Sequence, residues 1–355
     1  MSKKAIFGAG HFGKLFYQAL LKAGVQIDFF IDDFKNHECF NLPIIKGTQI
    51  NKNTTIYISV LQHSEKIEGR LKDQGFSNVL NFSQSIINIP GILSQIAQTD
   101  YLWLVKDRLR MLNQKIGHTR KLLKDNKSKL LLDKIIKLRE TLDTGYYIYP
   151  MGKEYFPKDV PFFNLLNHIN FIDCGAYTGD TIKELMESGF PVNYTISFEP
   201  DQDNYIKLLD ELCRQKQNFY NTSFTAYPVG VYSKNTILAI KLNESGSYID
   251  EIPENATTTT LVSVVSLDKT IKNSSPNYIK LDIEGAEKEA IIGATKTIQE
   301  HKPNLAVSLY HKPEDLWELP LLIHDIEPSY DMYLRVHEDL CLSTILYCVP
   351  NQLKL

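Results

Sequence analysis

Over the first hundred residues, short apolar runs of strand length alternate with stretches whose apolar residues recur at helical spacing. The predicted strands are Lys4–Phe7, Gln26–Ile31, Thr55–Val60 and Val79–Phe82. The predicted helices are His11–Lys22 and Glu65–Asp73, and a glycine follows each of them (Gly24 and Gly75). Because such alternation is typical of a parallel sheet covered by helices, residues 1–98 are predicted to form an α/β domain.

The same alternation returns after Tyr146 and continues to the C-terminus. Apolar runs predict strands at Phe171–Cys174, Thr195–Phe198, Phe224–Tyr227, Tyr278–Leu281 and Leu305–Ser308. Helical spacing predicts helices at Thr181–Ser188, Asp203–Arg214 and Glu287–Gly293. The last two runs, Met332–Val336 and Ser343–Val349, flank a short polar loop, which favours an antiparallel strand pair. Residues 146–355 are therefore predicted to be a second α/β domain with a terminal antiparallel pair.

The segment between the two domains, residues 99–145, differs in composition. Between Tyr101 and Glu140 it holds twelve Lys/Arg against four Asp/Glu, and leucines such as Leu109 and Leu112 recur at helical spacing. This pattern predicts one or two helices that link the domains. Two interpretations of the basic side chains stay open: a solvated face of packed helices, or a contact with an anionic surface or substrate carrier.

Composition narrows the functional classes only slightly. Hydrophobic residues make up 43% of the chain, charged residues 23%, and the formal net charge is -3. The charge gives no reason to expect a nucleic-acid partner. The uncharged stretch Asn78–Thr99 is too polar for a transmembrane helix. The five cysteines include no C-x-x-C pair. They therefore predict neither a disulfide framework nor a zinc site, and a cytoplasmic location is expected. A homodimer is possible.

A glycine pattern near the N-terminus suggests a nucleotide site. Residues 8–13, GAGHFG, match G-x-G-x-x-G between a predicted strand and a predicted helix, and an aspartate follows nineteen residues later. In dinucleotide-binding folds such glycines let the backbone approach a pyrophosphate, and the acidic residue contacts a ribose hydroxyl. The candidate residues are Gly8, Gly10, His11, Phe12, Gly13 and Asp32. Three alternatives stay open: a scaffold without a ligand, a nucleotide or nucleotide-sugar site, and an NAD(P) site.

Several stretches of this first segment resemble the nucleotide-sugar-binding domain of NeuD/PglD-type sugar acyltransferases. They are the opening GAG turn, FFIDD at 29–33, LPIIKG at 42–47 and DQGFSNVLNF at 73–82. The hexapeptide-repeat transferase part of that family is absent from this sequence. The resemblance implies a Rossmann-like domain that binds a nucleotide-sugar.

A second glycine loop, in residues 171–181 (FIDCGAYTGDT), has a different spacing. Its glycines are four residues apart, after a strand that ends near Asp173. S-adenosylmethionine has no pyrophosphate, so its loop must offer N–H groups to a carboxylate and an acidic group to an ammonium. Glu199 closes the next strand twenty residues after Gly179, where a carboxylate can accept both ribose hydroxyls in a forked pair. The two carboxylates at this spacing favour a methyl-donor site.

A third group of acidic residues follows the strand Tyr278–Leu281. Asp282, Glu284 and Glu287 lie between this strand and the next predicted helix, at the sheet edge where ligands bind in α/β proteins. Glu284 and Glu287 could also satisfy the helix N-terminus. His311, after the strand Leu305–Ser308, is expected at the same edge. Asp282, Glu284 and His311 are therefore the candidate catalytic residues.

From about Tyr155 to Val349 the chain resembles the FkbM family of methyltransferases. The motifs that carry this resemblance are YFP at 155–157, FIDCGAYTGDTI at 171–182, SFEPDQDN at 197–204, YPVGVYS at 227–233, SVVSLDKTI at 263–271 and IKLDIEGAEKEAIIGA at 279–294. The family implies a class I methyltransferase sheet and methyl transfer from S-adenosylmethionine to oxygen, often on sugars or polyketides. Carried over to this sequence, the implied donor-site residues are Asp173, Gly175, Ala176, Tyr177, Gly179, Asp180, Thr181, Glu199, Pro200, Asp201, Gly230 and Ser247. The polar stretch at 244–260 is longer than the family pattern.

The expected function is therefore transfer of a methyl group to a sugar hydroxyl of a cell-surface glycan or its nucleotide-linked precursor. A hydroxyl acceptor needs a general base, for which His311 and Asp282 are the alternatives. A divalent metal such as magnesium, held by Asp282 and Glu284, could replace the base. The competing interpretations are an NAD(P)- or nucleotide-sugar-dependent enzyme and a nucleotide sensor, both using the N-terminal glycine loop.

Overall fold

The computed structural model describes residues 2–35, 38–46, 50–99, 113–163, 166–243, 246–250 and 260–351. They divide into two compact units that are interleaved in sequence. The first unit comprises Met1–Met111, Asp133–Pro150 and Glu338–Leu342. The second comprises Leu112–Leu132, Met151–His337 and Ser343–Leu355. The predicted boundaries at residues 98 and 145 stay a prediction.

The first unit contains a five-stranded parallel sheet. Its strands are β1 (Lys4–Phe7), β2 (Phe29–Ile31), β3 (Ile44–Ile45), β4 (Thr55–Ile58) and β5 (Val79–Leu80), in the order β3-β2-β1-β4-β5. Its helices are α1 (His11–Lys22), α2 (Ser64–Asp73), α3 (Phe82–Asn88) and α4 (Gly91–Ile96). The predicted bounds of β1 and α1 are confirmed. The predicted strand Val79–Phe82 is wrong at its end, because Asn81 and Gln84 form a capping box that starts helix α3 at Phe82.

The described part of the predicted linker is helical. Helices α5 (Asn113–Leu122) and α6 (Asn126–Thr141) precede a 3₁₀ turn at Thr144–Tyr146. Within the second unit, the Thr119 hydroxyl lies 3.5 Å from the carbonyl oxygen of Trp317, and the Lys124 N–H donates to the Met332 carbonyl at 2.8 Å. Leu109 and Leu112 lie outside the described residues. Residues 113–132 are thus an integral part of the second unit.

The second unit contains eleven strands among its described residues. They are β6 (Ile169–Cys174), β7 (Val192–Phe198), β8 (Ser223–Tyr227), β9 (Gly230–Val231), β10 (Thr236–Asn243), β11 (Gly246–Asp250), β12 (Thr260–Val265), β13 (Tyr278–Leu281), β14 (Asn304–Ser308), β15 (Tyr330–Val336) and β16 (Thr344–Pro350). The helices are α7 (Asp180–Glu187), α8 (Gln202–Asn218), α9 (Leu267–Thr270), α10 (Glu287–Gly293), α11 (Thr295–His301) and α12 (Asp315–Ile326). The predicted bounds of β13 and α10 are confirmed.

Seven of these strands form one sheet in the order β15-β16-β14-β13-β6-β7-β8. The five strands from β14 to β8 are parallel, and β16 is antiparallel to both of its neighbours. This order confirms the predicted α/β sheet with a terminal antiparallel pair. Phe171 of β6 and Tyr278 of β13 form an aromatic cluster with Phe162 on this sheet, with almost no exposure. Burial of each such ring stabilises the fold by about 1.5–3 kcal/mol.

A smaller sheet has the order β11-β10-β12-β9. Strands β10, β11 and β12 pair antiparallel, and β12 pairs parallel with β9. The polar stretch at 244–260 therefore contains strand β11, whereas residues 251–259 lie outside the described part of the chain. Among the described residues, no helix is long and apolar enough to cross a lipid bilayer.

Candidate active site

The predicted site residues of the second unit gather at one edge of the seven-stranded sheet. Strands β6, β7, β13 and β14 are parallel neighbours, so their carboxyl ends meet at the same edge. Glu199 follows β7, Asp282 follows β13, and His311 follows β14. In an open α/β sheet this edge is where ligands bind. Residues more than a hundred positions apart in sequence thereby become neighbours.

The glycine loop after β6 contains three residues with left-handed backbone angles, and two of them are glycines. Gly175 and Gly179 both have φ of +85°. A Cβ on Gly175 would lie 1.9 Å from the carbonyl oxygen of Asp282, so only glycine lets this loop approach the end of β13. Gly179 precedes helix α7, whose first turn contains Asp180 and the buried Thr181. The negative charge of Asp180 is favourable at this helix N-terminus.

Asp173 forms a buried ion pair that the sequence analysis missed. It has no exposed surface, and its Oδ1 lies 2.9 Å from the Nζ of Lys280. Lys280 also donates to the carbonyl oxygen of Gly175 at 2.8 Å. Burial acts to lower the pKa of Lys280, but the nearby carboxylates of Asp173 and Asp282 outweigh this effect and raise it. The pair therefore stabilises the glycine loop. A lysine inside the apolar strand YIKL was the available signal, because a buried charge requires a partner.

Glu199 accepts backbone hydrogen bonds from the glycine loop and from the residues that follow β7. Its Oε2 accepts a hydrogen bond from the Tyr177 N–H at 2.8 Å, and its Oε1 accepts one from the Asp201 N–H at 2.9 Å. Burial raises the pKa of Glu199, and these two hydrogen bonds oppose that change. Tyr177 itself is 57% exposed. The carboxylate of Glu199 is thus held in a fixed orientation at the end of β7.

The remaining predicted donor-site residues surround this loop in different ways. The Asp201 carboxylate caps helix α8 by accepting from the Asn204 N–H at 2.9 Å. Gly230 opens β9, where a Cβ would lie 3.1 Å from Val264 and 3.9 Å from Pro200. Ala176 is buried, and Ser247 lies in β11 with its side chain outside the described part. Their contact with a ligand stays a prediction.

Asp282 is held by two tyrosines. Its Oδ2 accepts a hydrogen bond from the Tyr155 hydroxyl at 2.7 Å, and its Oδ1 accepts one from the Tyr310 hydroxyl at 3.0 Å. Burial acts to raise the pKa of Asp282, but the positive charges of His311 and Lys280 outweigh it and hold the pKa below its ordinary value. Asp282 is therefore ionised at neutral pH. The local sequence pattern around Tyr155 and Tyr310 did not predict these two hydrogen bonds.

His311 lies among three carboxylates. Its Nδ1 is 2.8 Å from Glu287 Oε1, and its Nε2 is 3.4 Å from Asp282 Oδ1 and 3.6 Å from Glu284 Oε2. Burial acts to lower the pKa of His311, but Glu287 and the other two carboxylates outweigh it and raise the pKa to about 10. Glu287 is fully buried, and its Oε1 also accepts from the N–H of Ile283. The histidine is thus protonated at neutral pH in this arrangement.

The N-terminal glycine loop has the geometry of a close turn. A Cβ on Gly13 would lie 2.1 Å from the carbonyl oxygen of Gly8, whose φ is +101°. The Oδ2 of Asp32 accepts from the Ala9 N–H at 2.8 Å, and its Oδ1 accepts from the N–H groups of Phe34 and Lys35. Burial acts to raise the pKa of Asp32, but these hydrogen bonds outweigh it and lower the pKa. Asp32 therefore ties the loop to the end of β2.

The other predicted residues of this loop differ in exposure. His11 is exposed at the start of α1, Gly10 is half-buried, and the ring of Phe12 packs edge-on against Phe82 at 5.5 Å between centroids. Beside the loop is a cavity of about 440 Å³, lined by Ala9, Lys14, Phe34, Lys35, Glu38, Cys39 and Ile44. Two lysines at this cavity suit an anionic ligand.

Comparison with known proteins finds similarity to methyltransferases. Residues 173–335 match the family model described as the methyltransferase FkbM domain. The crystal structure of a methyltransferase FkbM from Methylobacillus flagellatus KT is similar to this chain, with a TM-score of 0.63 and 23% sequence identity. That similarity covers 98% of this chain and 90% of that one. Fibrillarin from Aeropyrum pernix, solved with natively bound S-adenosyl-L-methionine, is similar with a TM-score of 0.32 and 8% identity, over 51% of this chain and 66% of that one. No curated protein matches significantly.

The family match begins at Asp173 and ends at Arg335, so it includes the glycine loop, Glu199, Asp282 and His311. The similarity to the Methylobacillus structure supports the fold. Neither comparison tests the predicted nucleotide-sugar role of the first unit, which stays a prediction.

Proposed function

We propose that this protein is an S-adenosylmethionine-dependent O-methyltransferase. Its proposed acceptor is a sugar hydroxyl of a cell-surface glycan or of its nucleotide-linked precursor. The observation that carries the proposal is the meeting of Glu199, Asp282 and His311 at the carboxyl ends of three strands of one sheet, beside a glycine loop. The family match over residues 173–335 supports methyl transfer as the reaction class.

The residues at this edge fit the methyl donor. Asp173 Oδ2 is buried without a hydrogen bond, and Glu199 presents an oriented carboxylate at the next strand end. When bound, the donor supplies a methyl group on a positively charged sulfur. The proposed binding residues are Asp173, Gly175, Ala176, Tyr177, Gly179, Asp180, Thr181, Glu199, Pro200, Asp201, Gly230 and Ser247. A carboxylate such as Glu199 suits a forked, charge-assisted pair of hydrogen bonds with two ribose hydroxyls.

Asp282 and His311 are the groups proposed to face the acceptor. A sugar hydroxyl must lose its proton as it is methylated, which calls for a base within hydrogen-bond reach. Asp282 is ionised, whereas the surrounding carboxylates keep a proton on His311. Asp282 is therefore the group ready to accept the proton, and His311 becomes a base only after it has lost its own. Tyr155 and Tyr310 hold Asp282 in position.

Calorimetric titration of the full chain with S-adenosylmethionine tests the donor. Mass spectrometry of cell-surface glycans, with and without the active protein, tests the acceptor. We expect a single donor site, and one extra methyl group on a glycan only when the protein is present. Absence of donor binding by the folded protein would overturn the proposal, while donor binding with unmethylated glycans would overturn the acceptor class.

A second candidate function is binding of a nucleotide or nucleotide-sugar by the first unit. The cavity of about 440 Å³ beside the glycine loop favours it, because Lys14 and Lys35 line this cavity together with the ring of Phe34. Titration with UDP-sugars and with NADH distinguishes the two ligand classes. Lys14→Met and Lys35→Met should each weaken the binding at least severalfold, whereas Lys3→Met, an exposed lysine outside the cavity, should not. Equal binding by all three variants would contradict this assignment.

A further inference from the structure

Two buried polar atoms at the acceptor side of the sheet edge have no hydrogen-bond partner. They are His311 Nε2 and Glu287 Oε2. The His311 side chain is only 8% exposed, and the Glu287 side chain is not exposed at all. A buried polar atom without a partner costs free energy, and a bound water or ion is one way in which native proteins satisfy it. His311 Nε2 is therefore the atom on which a ligand is expected.

The orientation of His311 is fixed from its other nitrogen. Nδ1 is 2.8 Å from Glu287 Oε1, and that oxygen is itself held by the N–H of Ile283 at 2.9 Å. Histidines that bind metals usually donate their second N–H to a carboxylate in this way, which fixes the ring and the tautomer. Metal binding releases the proton of its ligand, so a cation that displaces the Nε2 proton would meet a lone pair that points away from Glu287. Glu287 therefore acts as a positioning residue, and Nε2 is left to bind.

Two carboxylate oxygens lie in front of this lone pair. Asp282 Oδ1 is 3.4 Å and Glu284 Oε2 is 3.6 Å from Nε2. Ligands that share a divalent cation at about 2.0–2.2 Å are separated by similar distances. Glu287 is also near, with one ligand atom each of Asp282, Glu287 and His311 within 4.8 Å of one another, but it contacts His311 through Nδ1 and not through Nε2. The orientation of His311 by Glu287 and the two distances from Nε2 to carboxylate oxygens thus agree on one position for a cation.

We propose that Asp282, Glu284 and His311 bind one divalent cation of the first transition row, with Glu287 orienting His311. The left-handed backbone at Glu284 (φ 56°) directs its side chain back toward the histidine from a largely exposed position. Two carboxylates balance the charge of the cation. One imidazole nitrogen favours iron, nickel, copper or zinc over magnesium, and the two carboxylates also suit manganese. A cation at this place would lower the pKa of a coordinated hydroxyl. The proton would then leave to solvent instead of to Asp282, whose Oδ1 would hold the cation.

Mn²⁺ binding to the full, tag-free and chelator-treated chain tests the site by electron paramagnetic resonance. The signal of free Mn²⁺ should fall until one ion is bound per chain. Glu284→Gln removes one ligand from an exposed position, and His311→Ala removes the nitrogen. Each should weaken Mn²⁺ binding at least tenfold. Glu300→Gln, which removes an exposed carboxylate from helix α11, is the matched control and should bind as the unchanged chain does.

The proposed site is overturned if the unchanged chain binds no Mn²⁺, or if Glu284→Gln binds it as tightly as Glu300→Gln. Because Glu284 is exposed, loss of folding does not obscure this comparison, and circular dichroism of each variant checks it. Calorimetry with S-adenosylmethionine, without added metal, reports separately on the proposed function. Donor binding without Mn²⁺ binding would refute only the proposed cation site. Mn²⁺ binding without donor binding would refute only the methyltransferase proposal.

Discussion

Replacement of Glu199 by alanine should separate donor binding from folding. In the structure both oxygens of this carboxylate accept backbone hydrogen bonds, from the N–H of Tyr177 and the N–H of Asp201. We propose that the remaining lone pairs accept two ribose hydroxyls. Loss of that forked, charge-assisted pair should cost about 2–4 kcal/mol of donor binding. This corresponds to a dissociation constant raised about 30- to 700-fold.

The same substitution should also lower stability. The two backbone N–H groups lose their acceptor, and each net hydrogen bond contributes about 0.5–1.5 kcal/mol. The free energy of unfolding should therefore fall by about 1–3 kcal/mol, which is a tolerable loss for a domain of this size. Glu199→Gln keeps one carbonyl oxygen as an acceptor and should give intermediate values for both quantities.

Isothermal calorimetry with S-adenosylmethionine and urea unfolding measure the two effects on the same preparations. Asp203→Ala is the matched control, because Asp203 is an exposed carboxylate in the first turn of α8 and lies outside the proposed site. It should change donor affinity less than twofold. A folded Glu199→Ala protein that binds the donor with unchanged affinity would refute the ribose assignment.

Three further predictions concern single side chains. Lys280→Met leaves Asp173 buried without its partner and should lower the free energy of unfolding by about 3–5 kcal/mol. A loss below about 1 kcal/mol, measured by urea unfolding, would contradict a structural role for the pair. Asp282→Asn should lower turnover about 10²–10⁴-fold with little change in folding. If His311 is the base instead, the rate of the unchanged chain should rise as the pH approaches the His311 pKa of about 10, and His311→Gln should abolish that rise. Burial lowers the pKa of His337 to about 4, so the folded protein binds fewer protons than the unfolded chain between pH 6.5 and 4. The free energy of unfolding should therefore fall as the pH falls through that window. The thermal unfolding temperature of His337→Gln should depend less on pH than that of the unchanged chain. The same pH dependence in both proteins would contradict a role for His337.

The local sequence pattern was sufficient for many elements of this protein. The bounds of β1, α1, β13 and α10 are those predicted from apolar runs and helical spacing. These properties depend on the backbone preferences and burial of residues close in sequence, which a single segment already contains. The start of α3 at Phe82 was missed because the predicted strand was extended past Asn81, which caps this helix together with Gln84.

The strand-end carboxylates were also within reach of the sequence. Asp173, Glu199 and Asp282 each follow or end an apolar run, and parallel strands bring their carboxyl ends to one edge. The sequence thereby predicted that these residues lie at one edge of the sheet. It could not predict their partners, because a carboxylate at a strand end has the same local pattern whether it contacts a ligand, a lysine or a backbone N–H.

The sequence alone therefore determined the α/β class, several strands and helices, the glycine loops and the set of carboxylates. Only the tertiary structure decided the pairs that give these groups their charge and orientation. Lys280 meets Asp173 because β13 and β6 are paired in a register that places the two residues side by side. His311 meets Glu287 because a loop after β14 packs beside helix α10. Parallel strands such as β6 and β13 are joined by long connections, so their pairing depends on contacts between residues far apart in sequence and not on the pattern of either strand alone.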